Sequence, residues 1–190
     1  HLDTPGTAEG VTSSGSHAYV ADGEGGLRIL DVSDPSAPQE LSAYDTDGYA
    51  FDVLVVDDLA YLSDGKSGLR ILDVSDPGAP REISRFAPPK GDVRGVAISG
   101  RLAYVAAGYS GISILDVADP GNPREVGRYE TPRSARTVEI SGSLAYVGDT
   151  KWIRVLDLSN PLAPYEVSSY KAPAHANDLS IAGGKVYVAA

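Results

Sequence analysis

The sequence contains no cysteine and no methionine, and none of its apolar runs approaches the roughly 18 residues of a membrane-spanning helix. The lack of cysteine excludes disulfides, thiolate metal ligands and cysteine nucleophiles. Basic residues are also scarce, because 16 lysines and arginines face 26 acidic residues and give a net charge of −10. This balance argues against duplex nucleic acid or an anionic membrane as a partner.

The remaining composition is that of a globular protein. The chain has 190 residues, of which 42% are hydrophobic and 22% charged, so it can bury a substantial core. It begins at His1 rather than at a methionine. We therefore expect a processed product, a tag remnant or part of a longer protein.

Three landmarks repeat along the chain at a period of about 42 residues. An Ala-Tyr pair, Val-Tyr at the last position, places tyrosines at Tyr19, Tyr61, Tyr104, Tyr146 and Tyr187. Aspartates follow at Asp31, Asp73, Asp116 and Asp157, and aromatic residues follow those at Tyr44, Phe86, Tyr129 and Tyr170. Agreement at three landmarks indicates one structural unit used repeatedly.

Each unit is predicted to form four short strands. Runs of four to six β-branched, aliphatic and aromatic residues alternate with turn signals, and no window has helical periodicity with caps. The first turn is a polar pair such as Gly100-Arg101, which suits a hairpin with positive φ. A corner of the form Asp-Pro-x-x-Pro follows the third strand, where the side chain before proline can accept a backbone hydrogen bond.

Tandem four-stranded units of this length predict an all-β fold, a β-propeller of four-stranded antiparallel blades. We predict a single domain over residues 1–190. Its repeats span approximately 4–46, 47–90, 91–133 and 134–171, with a partial repeat over 172–190. The partial repeat matches only the first two strands of a fifth blade. The chain is thus expected to be a segment of a larger propeller, or an open ring whose edge another chain covers.

The third strands and their corners read LRILDVSDP twice, then ISILDVADP and IRVLDLSNP. With the preceding AYVA-type strands, these segments resemble the LVIVD-repeat β-propeller family over nearly the whole chain. The resemblance implies a propeller of bacterial or archaeal origin that is often associated with the cell surface. It implies no catalytic motif, so no functional residue is transferred from the family.

The candidate ligand-binding residues lie where equivalent positions of the repeats differ. Residues that are the same in every unit are expected to serve turns and packing, whereas variable residues on loops of a rigid scaffold can carry function. The variable positions precede or begin the first strand of each unit, which in a propeller lines the mouth of the central channel. The proposed ligand-binding residues are Tyr49, Phe51, Asp52, Asp92, Arg94, Arg136, His175, Asn177 and Asp178.

Three smaller features suggest other contacts. Tyr109 and Trp152 fall on the same hairpin of adjacent units. Exposed aromatic side chains there would form part of a partner-binding patch, and packing within the hairpin is the alternative. The last strand contains the apolar run Val186, Tyr187 and Val188, an unprotected edge suited to strand pairing.

Asp45 and Asp47 resemble half of a calcium loop, and an ordinary polar turn is the alternative. Because the second half of a calcium loop is missing, we predict no metal site and no cofactor.

These observations favour a non-enzymatic protein-interaction or scaffold module, at the cell surface or secreted. Two alternatives remain open. One is a small-ligand receptor or an enzyme that uses the channel mouth, and the other is a structural subunit that assembles through the open blade edge. The expected partners are a protein or the remaining blades of the same polypeptide along that edge, and a homo-oligomer is possible on this basis.

Overall fold

The computed structural model describes residues 3–189, and within this range the regular secondary structure consists of β-strands. Four four-stranded antiparallel sheets and one two-stranded sheet follow one another along the chain. The prediction of an all-β fold built from propeller-type blades, four complete and a fifth partial, is confirmed. No helix long and apolar enough to cross a membrane occurs among residues 3–189. The chain divides into two compact units, residues 1–87 and 88–190.

The first unit holds two complete blades. Blade 1 consists of β1 (Gly10–Ser14), β2 (His17–Ala21), β3 (Leu27–Asp31) and β4 (Gln39–Tyr44). Blade 2 consists of β5 (Asp52–Val56), β6 (Leu59–Ser63), β7 (Leu69–Asp73) and β8 (Arg81–Phe86). The two sheets share a core in which Tyr19, Leu27, Ile29, Leu62 and Leu72 of their second and third strands are buried together with Val53 of β5.

The second unit holds two further blades and the partial one. Blade 3 consists of β9 (Gly95–Ser99), β10 (Leu102–Ala106), β11 (Ile112–Asp116) and β12 (Arg124–Tyr129). Blade 4 consists of β13 (Ala135–Ser141), β14 (Leu144–Asp149), β15 (Trp152–Asp157) and β16 (Tyr165–Lys171). The edge hairpin consists of β17 (Asp178–Ala182) and β18 (Lys185–Ala189).

The predicted turn chemistry is present in every blade. The hairpin between the first two strands turns at a residue with positive φ, such as Gly100 (57°) or Gly142 (61°), where a residue without Cβ avoids a steric penalty. The pairing of the third and fourth strands shifts register once in each complete blade, a bulge at the same place every time. The shifts fall between Ile29 and Leu30, Ile71 and Leu72, Ile114 and Leu115, and Val155 and Leu156.

The repeated aspartates serve the corner after the third strand, as predicted. Asp73 accepts a hydrogen bond from the amide of Ser75 at 2.9 Å, and Asp76 accepts one from the amide of Gly78 at 3.0 Å. The same two bonds occur at the corners that begin at Asp31, Asp116 and Asp157. Asp31, Asp73 and Asp157 each accept hydrogen bonds from the serine two residues later in the chain. These bonds keep the pKa of the three carboxyl groups below the usual range.

A buried arginine crosses the sheet of blade 2. Arg70, on the third strand, donates from Nε to Asp64 Oδ2 at 2.6 Å and from Nη1 to Glu82 Oε2 at 2.5 Å. Its Nη2 donates to Asp47. The Asp64 side chain has no solvent exposure, and its burial raises its pKa against the pull of the guanidinium. Arg70 therefore compensates a carboxylate that has lost its hydration.

The same arrangement recurs in blades 1 and 4. Arg154 donates to Asp149 Oδ2 and to Glu166 Oε2, both at 2.7 Å. Arg28 Nε lies 3.8 Å from Oδ2 of the fully buried Asp22. In each case an aspartate that follows or ends the second strand meets an arginine of the third. We call these three clusters the carboxylate–arginine network.

A tyrosine of the preceding blade joins the network within each unit. The hydroxyl of Tyr44 donates to Glu82 at 3.0 Å, and that of Tyr129 donates to Glu166 at 2.8 Å. Burial and this hydrogen bond raise the pKa of Tyr129 to about 12. Burial disfavours the Glu166 carboxylate, yet hydrogen bonds from Arg154 and Tyr129 hold its pKa below the usual value. The network thus connects neighbouring sheets as well as strands of one sheet.

Blade 3 has lost both members of the buried pair together. Ala107 stands where the other complete blades have aspartate, and Ser113 stands where they have arginine. Its glutamate, Glu125, turns instead to Arg128 of the same strand, which donates from Nε at 2.9 Å and from Nη2 at 2.7 Å. Blade 3 therefore buries neither an unpaired aspartate nor an unpaired arginine at these positions.

We expect Arg70→Ser to destabilise the fold by about 3–5 kcal/mol, because it leaves the Asp64 carboxylate buried without its cation. The double variant Asp64→Ala/Arg70→Ser copies blade 3, and we expect it to be about 2 kcal/mol more stable than the Arg70→Ser single variant. Urea denaturation of the wild type, both single variants and the double variant measures the coupling. Purely additive losses would contradict the compensation described above.

Thr150 takes the place of a glycine with positive φ. The residue after the aspartate position (Ala107 in blade 3) is Gly23 (54°), Gly65 (56°) or Gly108 (56°) in blades 1 to 3, and Thr150 has a φ of 53° in blade 4. This region is costly for a β-branched residue. The backbone is held there because the Thr150 carbonyl accepts a hydrogen bond from the amide of Ala176 at 2.7 Å.

Replacing Thr150 by glycine is therefore expected to stabilise the chain by about 1 kcal/mol and to raise Tm by about 2–4 °C. Thr12→Gly, at a half-buried strand position with ordinary φ, is the matched control, and we expect it to lower Tm. Thermal unfolding followed by calorimetry checks both variants. A lower Tm for Thr150→Gly would show that the threonine is not strained.

Candidate functional site

Four of the predicted ligand-binding residues come together in the second unit. Asp92, Arg94, Arg136 and His175 line one cavity of about 330 Å³. Tyr109, predicted as a partner-binding aromatic, lies in the same wall and is 73% exposed. The loop before β9, the turn between β10 and β11, strand β13 and the loop before β17 supply these groups, so four of the nine predicted ligand-binding positions meet here.

A second cavity of about 460 Å³ adjoins the first, because Thr150 and His175 line both. Its other lining residues are Arg133, Lys151, Trp152 and Lys171. We call the two cavities together the cationic cleft. Five of its side chains are lysine or arginine, and Asp92 is the one carboxylate among the lining residues within 3–189.

Short-range contacts order part of the cleft. Arg94 Nη2 lies 3.4 Å from Asp92 Oδ2, and Arg136 Nη1 lies 3.4 Å from His175 Nδ1. Because a guanidinium can only donate, a hydrogen bond between these two groups runs from Arg136 Nη1 to His175 Nδ1. The Arg154 guanidinium lies 5.9 Å from the Trp152 ring centroid, a cation–π distance that orients the indole.

The predicted ligand-binding residues of the first unit form a separate group. The Tyr49 and Phe51 rings lie 4.7 Å apart between centroids at 44°. The Tyr49 hydroxyl donates to Glu9 Oε1 at 2.6 Å, and this bond raises the Tyr49 pKa. Asp52 begins β5 and is half-buried. These residues link the first strands of blades 1 and 2.

Asn177 and Asp178 lie outside the cleft walls. The Asn177 amide donates to the Ala189 carbonyl at 2.8 Å, which extends the edge hairpin by one bond. Asp178 Oδ1 accepts from the amide of Leu179 at 2.8 Å and lies 3.5 Å from Thr137 Oγ1. Both residues therefore serve the start of β17 in this structure.

The predicted apolar edge is exposed. Tyr187 is 55% exposed, whereas Tyr19, Tyr61 and Tyr104 at the equivalent position are at most 4% exposed. Val188 is 36% exposed, and Val186 is half-buried against the small cluster beneath the edge hairpin. Within residues 3–189, β18 pairs with β17 alone.

The weak calcium candidates are engaged with arginines. Asp45 Oδ1 accepts from Arg28 Nη2 at 2.9 Å, and Asp47 accepts from Arg70. Their carboxylates neutralise guanidinium groups of the carboxylate–arginine network. Among residues 3–189, no group of three or more histidine, aspartate or glutamate side chains has the arrangement of a metal site.

Sequence reasoning missed Arg133, Thr150, Lys151 and Lys171 of the cleft, and it missed the buried aspartate and arginine positions. Two signals point to them. The turn of blade 4 is one residue shorter than its equivalents and has Thr150 in a glycine position. The aspartate and arginine positions change together in blade 3, which indicates contact.

Comparison with solved structures shows the fold. The chain is similar to the computationally designed Ika4 protein, with a TM-score of 0.64 and 9% identity over 90% of this chain and 94% of that one. The computationally designed Ika8 protein gives a TM-score of 0.61 and 10% identity over 94% of this chain and 66% of that one.

A functionally unknown protein from Desulfotomaculum acetoxidans is also similar, with a TM-score of 0.67 and 17% identity over 86% of this chain. This chain spans 56% of that protein's length and 66% of the length of the Ika8 protein. No curated protein matches the sequence. At these identities the likeness to solved structures concerns the fold alone.

Four consecutive segments match the LVIVD repeat, over residues 5–46, 47–87, 90–131 and 132–172. They coincide with the four complete blades and cover most of the chain. The chain therefore belongs to the LVIVD repeat family.

Proposed function

We propose that the chain is a non-enzymatic protein-interaction module that contacts its partner through the cationic cleft. One observation carries the proposal: four of the nine predicted ligand-binding residues, all at positions that differ between repeats, meet in this cleft, while the charged residues that recur are engaged with one another. Asp92, Arg94, Arg136 and His175 belong to the first class. Asp64, Arg70 and Glu82 belong to the second.

The residue types of the cleft support a protein partner. Tryptophan, tyrosine and arginine contribute most to protein–protein interfaces, and the cleft contains Trp152, Tyr109 and three arginines. Its walls belong to strand ends and loops of a packed β-structure, which holds a contact surface in place before binding. An accessible surface of this kind suits binding more than a reaction that requires exclusion of water.

The family resemblance and the composition also bear on where in or outside the cell the chain acts. The LVIVD resemblance implies bacterial or archaeal proteins associated with the cell surface, and a module without cysteine is compatible with that setting. We therefore propose that the chain acts at the cell surface or outside the cell, where it brings a partner protein to the molecule that carries it.

Peptides selected from a random library on the immobilised chain test this function. We expect the selected peptides to bind the wild type and to lose at least about tenfold in affinity, about 1.4 kcal/mol, on the variant Arg94→Ala/Arg136→Ala. Arg101→Ala/Arg124→Ala is the matched control, because it removes the same charge from exposed positions of the same unit outside the cleft. Calorimetric titration measures the affinities.

Two other outcomes of the peptide-binding experiment would count against the proposal. Selected peptides whose affinity is equal for the cleft variant and the wild type would contradict a cleft-centred function. Equal weakening by both double variants would show a general effect of charge. Thermal unfolding of each variant first establishes that its fold is intact.

A second candidate function rests on a different observation, the exposure of Tyr187 and Val188 on β18. In the complete blades a third strand pairs with the second strand, and Tyr19, Tyr61 and Tyr104 at the position of Tyr187 are at most 4% exposed. An apolar edge strand with unpaired backbone groups favours pairing with another strand. We propose that two copies of the chain can pair antiparallel along β18 across a twofold axis, as isologous dimers do.

Light scattering over a range of concentrations tests this assembly. We expect the mass to rise above the 19.8 kDa of one chain, and we expect Tyr187→Lys/Val188→Lys to abolish the rise because edge lysines oppose strand pairing. Val11→Lys, a lysine at an exposed apolar position of β1, is the control and should not change the mass. A constant mass of one chain at all concentrations would refute assembly through β18.

A further inference from the structure

The charge of the chain is divided unevenly between its two units. Residues 1–87 contain 16 acidic and five basic side chains, whereas residues 88–190 contain ten acidic and 11 basic ones. The second unit is thus near neutral in an acidic protein, and five of its basic side chains line the cationic cleft. The cleft is therefore a local concentration of positive charge.

Three of the cleft cations differ in their partners from the arginines of the carboxylate–arginine network. Arg28, Arg70 and Arg154 are held against carboxylates inside the sheets. Within the described range of 3–189, no carboxylate lies at ion-pair distance from the side chains of Arg133, Lys151 or Lys171. Like charges gathered without counter-charges repel one another, so a bound anion would relieve the repulsion.

The shape of the cleft favours a segment of a macromolecule over an enclosed small ligand. Arg133, Lys151, Lys171 and His175 are exposed, and the walls come from five separate segments of the chain. Small-molecule sites usually enclose most of their ligand between apolar walls. Exposed cations instead attract and retain an extended ligand whose negative charges are also spread out.

Two aromatic side chains and a strained residue add specific contacts. Trp152 lines one cavity and Tyr109 the other, which allows apolar groups of an extended ligand to pack at both places. Thr150, with its φ of 53°, lies where the two cavities meet. It adds a methyl group and a hydroxyl at a position that is glycine in blades 1 to 3, and strained residues often occur at binding sites.

We propose that the cationic cleft binds an acidic segment of a partner protein, with its carboxylates on Arg133, Lys151 and Lys171 and its apolar side chains on Trp152 and Tyr109. This inference rests on the proposed interaction function and names the chemistry of the partner. Charge complementarity carries it, since the lining holds five cations and one carboxylate.

Trp152 is the only tryptophan of the chain, so its fluorescence reports directly on the cleft. We expect poly-L-glutamate to change the Trp152 emission in a saturable titration, with an affinity that falls as salt is added. Lys151→Ala/Lys171→Ala should weaken binding about tenfold, and Arg101→Ala/Arg124→Ala should change it less than about twofold. Lys151 and Lys171 are exposed, so their loss is expected to leave the fold unchanged.

Each other outcome overturns the inference. Poly-L-glutamate that leaves the Trp152 emission unchanged excludes an acidic segment. Equal weakening by both double variants shows unspecific attraction. Inorganic phosphate that competes at equal charge concentration indicates a small anion. Dextran sulfate that saturates the cleft while poly-L-glutamate does not indicates a polysaccharide. Self-association that is lost in Lys151→Ala/Lys171→Ala makes a second copy of the chain the occupant.

Failure of this inference is separable from failure of the proposed function. Library peptides that depend on Arg94 and Arg136 but carry no acidic residues would leave the interaction function standing and refute the acidic partner. Library peptides indifferent to both arginines would refute the function itself, whatever poly-L-glutamate does.

Discussion

The structure depends on how each sheet accommodates a charge that it has buried. In blades 1, 2 and 4 an aspartate at the end of the second strand lies out of water, and an arginine of the third strand compensates it. The guanidinium also contacts a glutamate of the fourth strand. In each unit the tyrosine at the end of one blade donates a hydrogen bond to the glutamate of the next blade. A charge that would be costly alone therefore joins three strands and two sheets. Blade 3 shows the other solution, because it replaces the buried aspartate and arginine by Ala107 and Ser113.

This constraint explains where function can lie. The aspartates of the proline corners and the members of the carboxylate–arginine network are engaged by the fold, so they cannot be altered freely in single blades. The loops that lead into the first strands have fewer residues engaged in such hydrogen bonds and ion pairs, and the sequences of the repeats differ there. In the second unit these loops and the start of β13 bring Arg94, Arg136 and His175 to one cleft. The same scaffold that fixes the repeated residues thus displays the variable ones.

Much of the fold could be predicted from the sequence because its signals are local and repeated. Turn residues such as Gly100 and corner residues such as Asp76 act on backbone groups two or three residues away, and their spacing gives the strand order. The candidate site could be predicted in part. The comparison of repeats identified Arg94, Arg136 and His175, but it also selected Asn177 and Asp178, which serve the start of β17. Arg133 and Lys171 were missed because adjacency between loops of different blades depends on how the sheets pack.

The central claim is that residues that differ between repeats bind a partner, whereas residues that recur stabilise the fold. Chemical-shift mapping on the isotope-labelled chain tests this claim most directly. On addition of poly-L-glutamate, the backbone amides of Ser134, Thr150 and His175 around the cationic cleft are expected to shift. The amides of the proline corners, such as those of Ser75 and Gly78, and of the edge hairpin are expected to stay in place. Shifts centred on the corners or on β18, with none at the cleft, would contradict the account.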